Sequence, residues 1–188
     1  MKRKGRLIIV TAPSGTGKTS VIHRFLSAHP DMIHSVSCTT RPIRKGEVDG
    51  RDYHFIDREE FSKGIDDGKF AEWAEVHNNF YGTPNAPLEA WLAAGTDVLL
   101  DVDVVGSLSL KKIYGGRAIS IFLVPPTMDE LKRRLALRGT DLAEVQALRL
   151  KNALTEMTFK DRFDHQVVND VLDRACAEIG SIIGRDPS

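Results

Sequence analysis

The sequence predicts an α/β fold in which a parallel sheet is covered by helices. Three observations carry this expectation. Short apolar runs alternate with helix-like segments along the chain, a glycine-rich turn ending in a lysine joins the first run to the first helix, and the run at residues 118–124 is stopped by two prolines before a well-capped helix.

The strand-like runs are Leu7 to Thr11, Val98 to Asp101, Ala118 to Val124 and Gln166 to Asn169, and the first helix spans about Lys18 to Ala28. Asp52 to Ile56 and Phe70 to Val76 read as short strands of a compact insertion, with Arg58 to Ile65 as its helix; the insertion should overhang the carboxyl edge of the sheet. Pro125 and Pro126 end the preceding strand, Thr127 is a good N-cap and Glu130 completes a capping box, so a helix should run from about Met128 to Leu137. Gly139 breaks it. Asp141 can cap a second helix, in which Val145, Leu148, Leu150 and Leu154 suit one buried face. There is no internal repeat, and Gly184 to Ser188 reads as a frayed tail.

A chain of 188 residues with 41% hydrophobic content is long enough for one folding unit with a real core and short for two. Its 26 basic and 26 acidic residues cancel, so no overall field recommends nucleic acid or an anionic membrane as partner, and neither is expected. Oligomerisation is possible but not implied. The basic start, Met1 to Arg6, is followed by an apolar stretch of only Leu7 to Val10, too short for a signal-peptide core or a membrane span, and a cytoplasmic location is expected. Cys38 and Cys176 match no metal or redox spacing and read as reduced thiols. The six histidines show no zinc spacing, and His23 and His29 are assigned to a helix surface or edge.

The strongest local signal is Ala12, Pro13, Ser14, Gly15, Thr16, Gly17, Lys18 and Thr19, placed between a strand and a helix. Gly15 and Gly17 permit backbone angles that aim successive N–H groups inward, and the helix beginning near Lys18 adds its positive end, a combination that binds polyphosphate. Lys18 should reach the β and γ phosphates. The Thr19 hydroxyl is placed to ligate the magnesium ion that bridges them. Ala12 stands where the usual pattern begins with glycine, which is acceptable if the position does not need a positive φ. Asp101, ending an apolar strand, can hold magnesium directly or through water, although many strands end in Asp merely to cap a turn.

Downstream, Arg41 and Arg44 lie in a loop before Tyr53. Two guanidinium forks and a phenol can grip a phosphate dianion, and a solvated basic turn is the plainer alternative. The segment Ser35 to Phe55, together with Glu72-Trp73-Ala74, Phe80-Tyr81-Gly82-Thr83, Asp101-Val102-Asp103 and the phosphate loop, resembles the guanylate kinase family across nearly the whole chain. The resemblance implies a P-loop kinase core with a five-stranded parallel sheet flanked by helices, plus a small mixed GMP-binding insertion and a helical lid. The core would comprise about 1–34, 84–126 and 157–188, the insertion about 35–83 and the lid about 127–156.

It further implies transfer of a phosphoryl group from MgATP to GMP, with Mg2+ accompanying the nucleotide. Arg41, Arg44, Tyr53 and Tyr81 match residues that hold the GMP phosphate; Ser37, Glu72, Thr83 and Asp103 match those that read guanine. That reading is chemically apt, because guanine offers N1–H and N2–H donors to carboxylates and an O6 acceptor to a hydroxyl, whereas adenine would leave them mismatched. Residues 12–19 with Ser20 match the ATP-binding loop, and Asn169 matches a residue near adenine. Lys18, Arg134, Arg138 and Arg149 match positions that stabilise charge during transfer, the three arginines being brought in by lid closure. Lys132 and Arg133 keep a solvated reading. Val105 and Cys38 depart from the family pattern beside the site. Two rival readings remain at this level: a non-catalytic interaction domain that uses the phosphate grip on a phosphorylated peptide, and a P-loop kinase with another acceptor such as a sugar phosphate.

Overall fold

A computed structural model of the chain describes residues 4–76, 78–137 and 143–184, with side chains described from residue 147 in the last segment. In chain order the elements are β1 (Leu7–Thr11), α1 (Lys18–Ala28), β2 (Ile33–Ser35), β3 (Cys38–Thr39), β4 (His54–Phe55), α2 (Arg58–Asp66), β5 (Phe70–Val76), β6 (Asn79–Pro84), α3 (Asn85–Ala94), β7 (Val98–Asp101), α4 (Val104–Tyr114), β8 (Ala118–Val124), α5 (Met128–Ala136), α6 (Ala143–Met157), β9 (His165–Val168) and α7 (Leu172–Ile182).

Every residue of β1 is buried, as expected of a strand covered on both faces. It is the middle strand of a five-stranded sheet ordered β2-β7-β1-β8-β9, in which all pairings are parallel. Alternation along β1 divides the core in two. Ile8 and Val10 pack with Val21, Ile22 and Phe25 of α1 and Ile179 of α7, whereas Leu7 and Ile9 pack with Leu88 and Leu92 of α3 and Leu110 of α4. The last expected strand is shifted by one residue, and Asn169 lies just past β9 with its N–H donating to the Val124 carbonyl.

The insertion forms a second sheet, ordered β4-β3-β6-β5, mixed because only β3 and β4 run parallel. The strand expected at Asp52 to Ile56 contracts to β4, preceded by a single bridge between Asp49 and Tyr53. Phe61 of α2 stacks on Phe70 and Phe80, with ring centroids 4.4 and 5.3 Å apart. A Cβ at Gly82 would stand 2.9 Å from both Phe61 and Phe70, so this position has no room for a side chain unless the rings move.

Thr127 caps α5 as expected, its hydroxyl accepting from Glu130 N at 3.1 Å, while the Glu130 carboxylate is engaged by Arg133 and Arg134. The expected buried face of α6 needs correction. Leu148 and Leu154 are 54% and 48% exposed, because α6 packs on Leu131 and Leu135 of α5 through Leu150 and Ala153. Gly139, Asp141 and the last four residues, 185–188, lie outside the described residues, as does the side chain of Val145.

The entry to β1 is fastened to β7 by a buried carboxylate. Asp97 accepts from Arg6 N at 2.8 Å and from the Arg6 guanidinium at 2.9 Å. Asp97→Ala strands the Arg6 donors and is expected to lower stability by about 2–3 kcal/mol, read as a reduced urea midpoint with an unchanged slope.

Candidate active site

The phosphate loop begins one residue after β1 and ends in α1. Gly15 and Gly17 have φ of 88° and 92°, left-handed values that glycine alone adopts without strain. Asn78 is the one non-glycine residue with positive φ among those described, so Ala12 needs no such freedom and its methyl is tolerated. The loop is also held from outside. The Thr16 carbonyl accepts from Asn169 Nδ2 at 2.7 Å and from an Arg134 Nη1 at 3.1 Å, and a Cβ at Gly17 would come within 2.8 Å of Asn169 Nδ2. Leu135 of α5 packs so close to Gly15 that a Cβ there would lie 2.8 Å from it.

Lys18 points across the carboxyl edge of the sheet, where its ammonium pairs with Asp101 and donates to the Val102 carbonyl at 3.2 Å. Thr19 is exposed on the first turn of α1 and shares a recess with Asp101. A hydroxyl and a carboxylate are hard oxygen donors of the kind Mg2+ takes alongside waters and phosphate oxygens. Among the described residues no group of three or more His, Cys, Asp or Glu could hold a metal by itself, so these two fit an ion that arrives with a nucleotide.

That recess, about 240 Å3, is also lined by Arg41, Arg44, Tyr53 and Tyr81, so the expected phosphate-gripping residues converge. Arg41 is 8% exposed and lies over the rings of Tyr53 and Phe55 at 5.4 and 5.6 Å. Glu47, not singled out in the sequence, organises the group: it receives Arg41 Nη1 and Nη2 at 3.0 and 2.8 Å and Arg44 N at 2.7 Å. The Arg41 bonds hold its carboxyl below the ordinary range. The signal available was a carboxylate three residues after the second arginine of the loop.

A neighbouring cleft of about 200 Å3 contains Ser37, Glu72 and Asp103, with Lys18 and Asp101 in its wall. Thr83 stands behind it and donates its hydroxyl to Glu72 at 2.7 Å, so it orients the carboxylate. Asp103 has two duties, since one oxygen caps α4 by accepting from Gly106 N at 2.7 Å while the side chain lines the cleft. Gly106 is required by close approach: a Cβ there would stand 2.6 Å from Glu72 Oε2. Val105 is 66% exposed and Cys38 is a free thiol pushed up to about 11 by burial, so neither departure alters charge in the cleft.

Arg134 is docked beneath the phosphate loop, reaching the Thr16 and Asn169 carbonyls, both at 3.1 Å, and Glu130 at 2.8 Å. From α6, Glu156 accepts from Ser14 N at 3.3 Å. Arg149 precedes it by about two helical turns and so shares its face of α6. Arg138 lies outside the described residues.

Two anion sites therefore adjoin, one a backbone cradle for a polyphosphate and one an arginine–tyrosine recess, and Asp101 belongs to the wall between them. Such a layout serves movement of a phosphoryl group between two bound molecules, which defines a P-loop phosphotransferase. Residues 4–186 match the family model described as guanylate kinase. A guanylate kinase of Syntrophotalea carbinolica is 48% identical over 183 residues, covering 97% of this chain and 87% of that protein. One from Symbiobacterium thermophilum is 47% identical over 182 residues, covering 97% and 86%. The crystal structure of guanylate kinase from Anaplasma phagocytophilum aligns with a TM-score of 0.82 at 33% identity, covering 98% of this chain and 87% of that one. The chain belongs to the guanylate kinase family.

Burial raises the Glu72 carboxyl to about 7, against the opposing bond from Thr83 and with Asp103 adding to the rise. Because the folded value exceeds the unfolded one, the native state holds the extra proton and loses stability as pH climbs from about 4.5 to about 7. Glu72→Gln keeps an acceptor for Thr83 and removes this penalty. It is expected to stabilise the ligand-free protein at pH 8 by up to roughly 3 kcal/mol and to have little effect at pH 4.5, measured by urea unfolding at both values.

Proposed function

We propose that the chain transfers the γ-phosphoryl group of ATP to GMP, and to dGMP, giving ADP and GDP or dGDP in guanine nucleotide metabolism and GMP recycling. The observation that carries this reading is the meeting of the two anion sites at Lys18 and Asp101. A donor phosphate held by the loop and an acceptor phosphate held by Arg41, Arg44, Tyr53 and Tyr81 would come together there. No nucleophilic side chain is required, because the acceptor oxygen is already anionic; positioning and charge neutralisation supply the acceleration.

Residues 12–20 bind the polyphosphate, Lys18 leaves Asp101 to follow the transferring group, and Asn169 lies on the adenine side. Thr19 and Asp101 would hold Mg2+, which when bound neutralises the phosphate oxygens. Glu72 and Asp103 accept from N1–H and N2–H of guanine, Ser37 faces O6, and Thr83 fixes Glu72. The segment from about 127 to 156 acts as the lid, the insertion from about 35 to 83 binds GMP, and the remainder is the core. Arg134, Arg138 and Arg149 neutralise charge on closure, which moves Arg134 from the loop carbonyls toward the phosphates. A cytoplasmic setting fits two free thiols and small-molecule substrates.

A coupled ADP-release assay offering GMP, dGMP, AMP, CMP and UMP with MgATP is expected to show turnover with the guanine nucleotides alone. Lys18→Ala should reduce that turnover by orders of magnitude while GMP binding persists. Turnover with AMP instead would keep the chemistry and reject the base assignment.

Glu47 sets which edge of Arg41 meets the acceptor. Glu47 and the Pro42 carbonyl use both Nη1 hydrogens and one on Nη2, leaving the Nε edge for Tyr81 and an incoming phosphate. Glu47→Gln, which loses the paired charge-assisted bonds, is expected to raise the KM for GMP about tenfold with the KM for ATP unchanged, in steady-state kinetics varying each substrate.

A further inference from the structure

We propose that His34 anchors a buried water that ties Asp101 to the acceptor recess and holds that carboxylate in place when Lys18 turns from it to nucleotide phosphates. The inference deepens the kinase reading and rests on it for the movement of Lys18; the water itself rests on the geometry of β2.

His34 Nε2 is buried and has no hydrogen-bond partner in the protein. Leaving such an atom unsatisfied costs about 1–3 kcal/mol, whereas a water bound to it removes most of that cost. The sheet explains why the ring lies where it does. His34 is registered with Leu99, and Asp101 follows two positions later along β7, so both side chains leave the same face at the carboxyl end. That face is the one covered by α1, since Leu99 packs with Val21, Ile22 and Phe25.

Beside the ring is a cavity of about 20 Å3 lined by His34, Ser35, Ser37, Asp52, Tyr53 and Asp101. A single water needs roughly 10–15 Å3 and two to four polar partners, and this lining supplies them. Burial holds the imidazole below its usual value and raises the Tyr53 phenol to about 12, so the phenol hydroxyl remains a donor. A water here can donate to Nε2 and to Asp101 while accepting from Tyr53. It thereby links the carboxylate of the metal side to a phenol of the acceptor side.

The link matters because the partner of Asp101 is a substrate-binding lysine. In the ligand-free protein Lys18 pairs with Asp101 directly. Once the lysine engages phosphates, a carboxylate without another anchor would be free to rotate, and groups that orient a metal-facing carboxylate typically affect metal affinity by about 10–100-fold. His34 is a positioning residue in this scheme. Its ring also borders the acceptor recess, and the role assigned to it is to hold the water rather than to bind phosphate.

Two measurements test the inference. A crystal structure of the ligand-free protein at a resolution that shows waters is expected to place one within hydrogen-bond distance of both His34 Nε2 and Asp101. Calorimetric binding of a non-hydrolysable ATP analogue, titrated against Mg2+, is expected to show His34→Leu needing about tenfold more Mg2+, with affinity in EDTA unchanged and the unfolding temperature no lower than wild type. His34→Gln, which restores a polar end, should recover the wild-type Mg2+ dependence. An empty cavity in the wild-type crystal, or wild-type Mg2+ dependence in His34→Leu, overturns the proposal even if GMP turnover is normal. A water in place in a protein that fails to phosphorylate GMP would instead remove the kinase reading and, with it, the role given to Lys18 here.

Discussion

The parallel register of β1 against β7 is the constraint from which the site follows. Val10 pairs with Asp101, so the chain that leaves β1 as the phosphate loop starts level with the end of β7. Lys18 then has only to cross the edge of the sheet to reach Asp101 and the Val102 carbonyl. The next two residues, Asp103 and Val104, turn into α4 and carry a carboxylate into the neighbouring cleft. The phosphate loop and the cleft of Glu72 and Asp103 are thus placed side by side by one strand pairing, consistent with ligands gathering outside the carboxyl ends of strands in open α/β sheets.

The zero net charge conceals a consistent local arrangement. Lys18 has Asp101, Arg41 has Glu47, and Arg134 has Glu130, each pair formed within the protein before a substrate is present. Desolvating an unpaired cation would be costly, and these carboxylates offset that cost in the ligand-free state. Their fates differ. In the proposed transfer Asp101 would release its lysine to a phosphate, whereas Glu47 would keep its arginine and shape the edge that remains.

Much of this was legible because its physics is local. The phosphate loop, α1, β5, α2 and the Thr127 cap are written in glycine placement, apolar periodicity and hydroxyl caps, and the structure places them where those patterns do. β2 was not legible: three residues with a histidine in the middle have no apolar signature, and only pairing with β7 makes them a strand. The buried face of α6 was misread through Leu148 and Leu154 because leucine weighs more in a pattern than Ala153, although the close contact with α5 favours the small residue. Thr83 was grouped with Glu72, but the bond between them depends on two antiparallel strands and could not be seen in either alone.

The outside support of the Thr16 carbonyl bears on how the chain acquires its activity. Its partner Asn169 lies 153 positions further along, and the central strand β1 is registered with β7 and β8, both far downstream. A nascent chain that has produced the whole phosphate loop still lacks the groups that fix its shape. Contacts of such long sequence span form late because loop closure must precede them. Nucleotide-binding competence is therefore a property the fold gains at the end of its assembly, although its signature precedes those supporting groups along the chain.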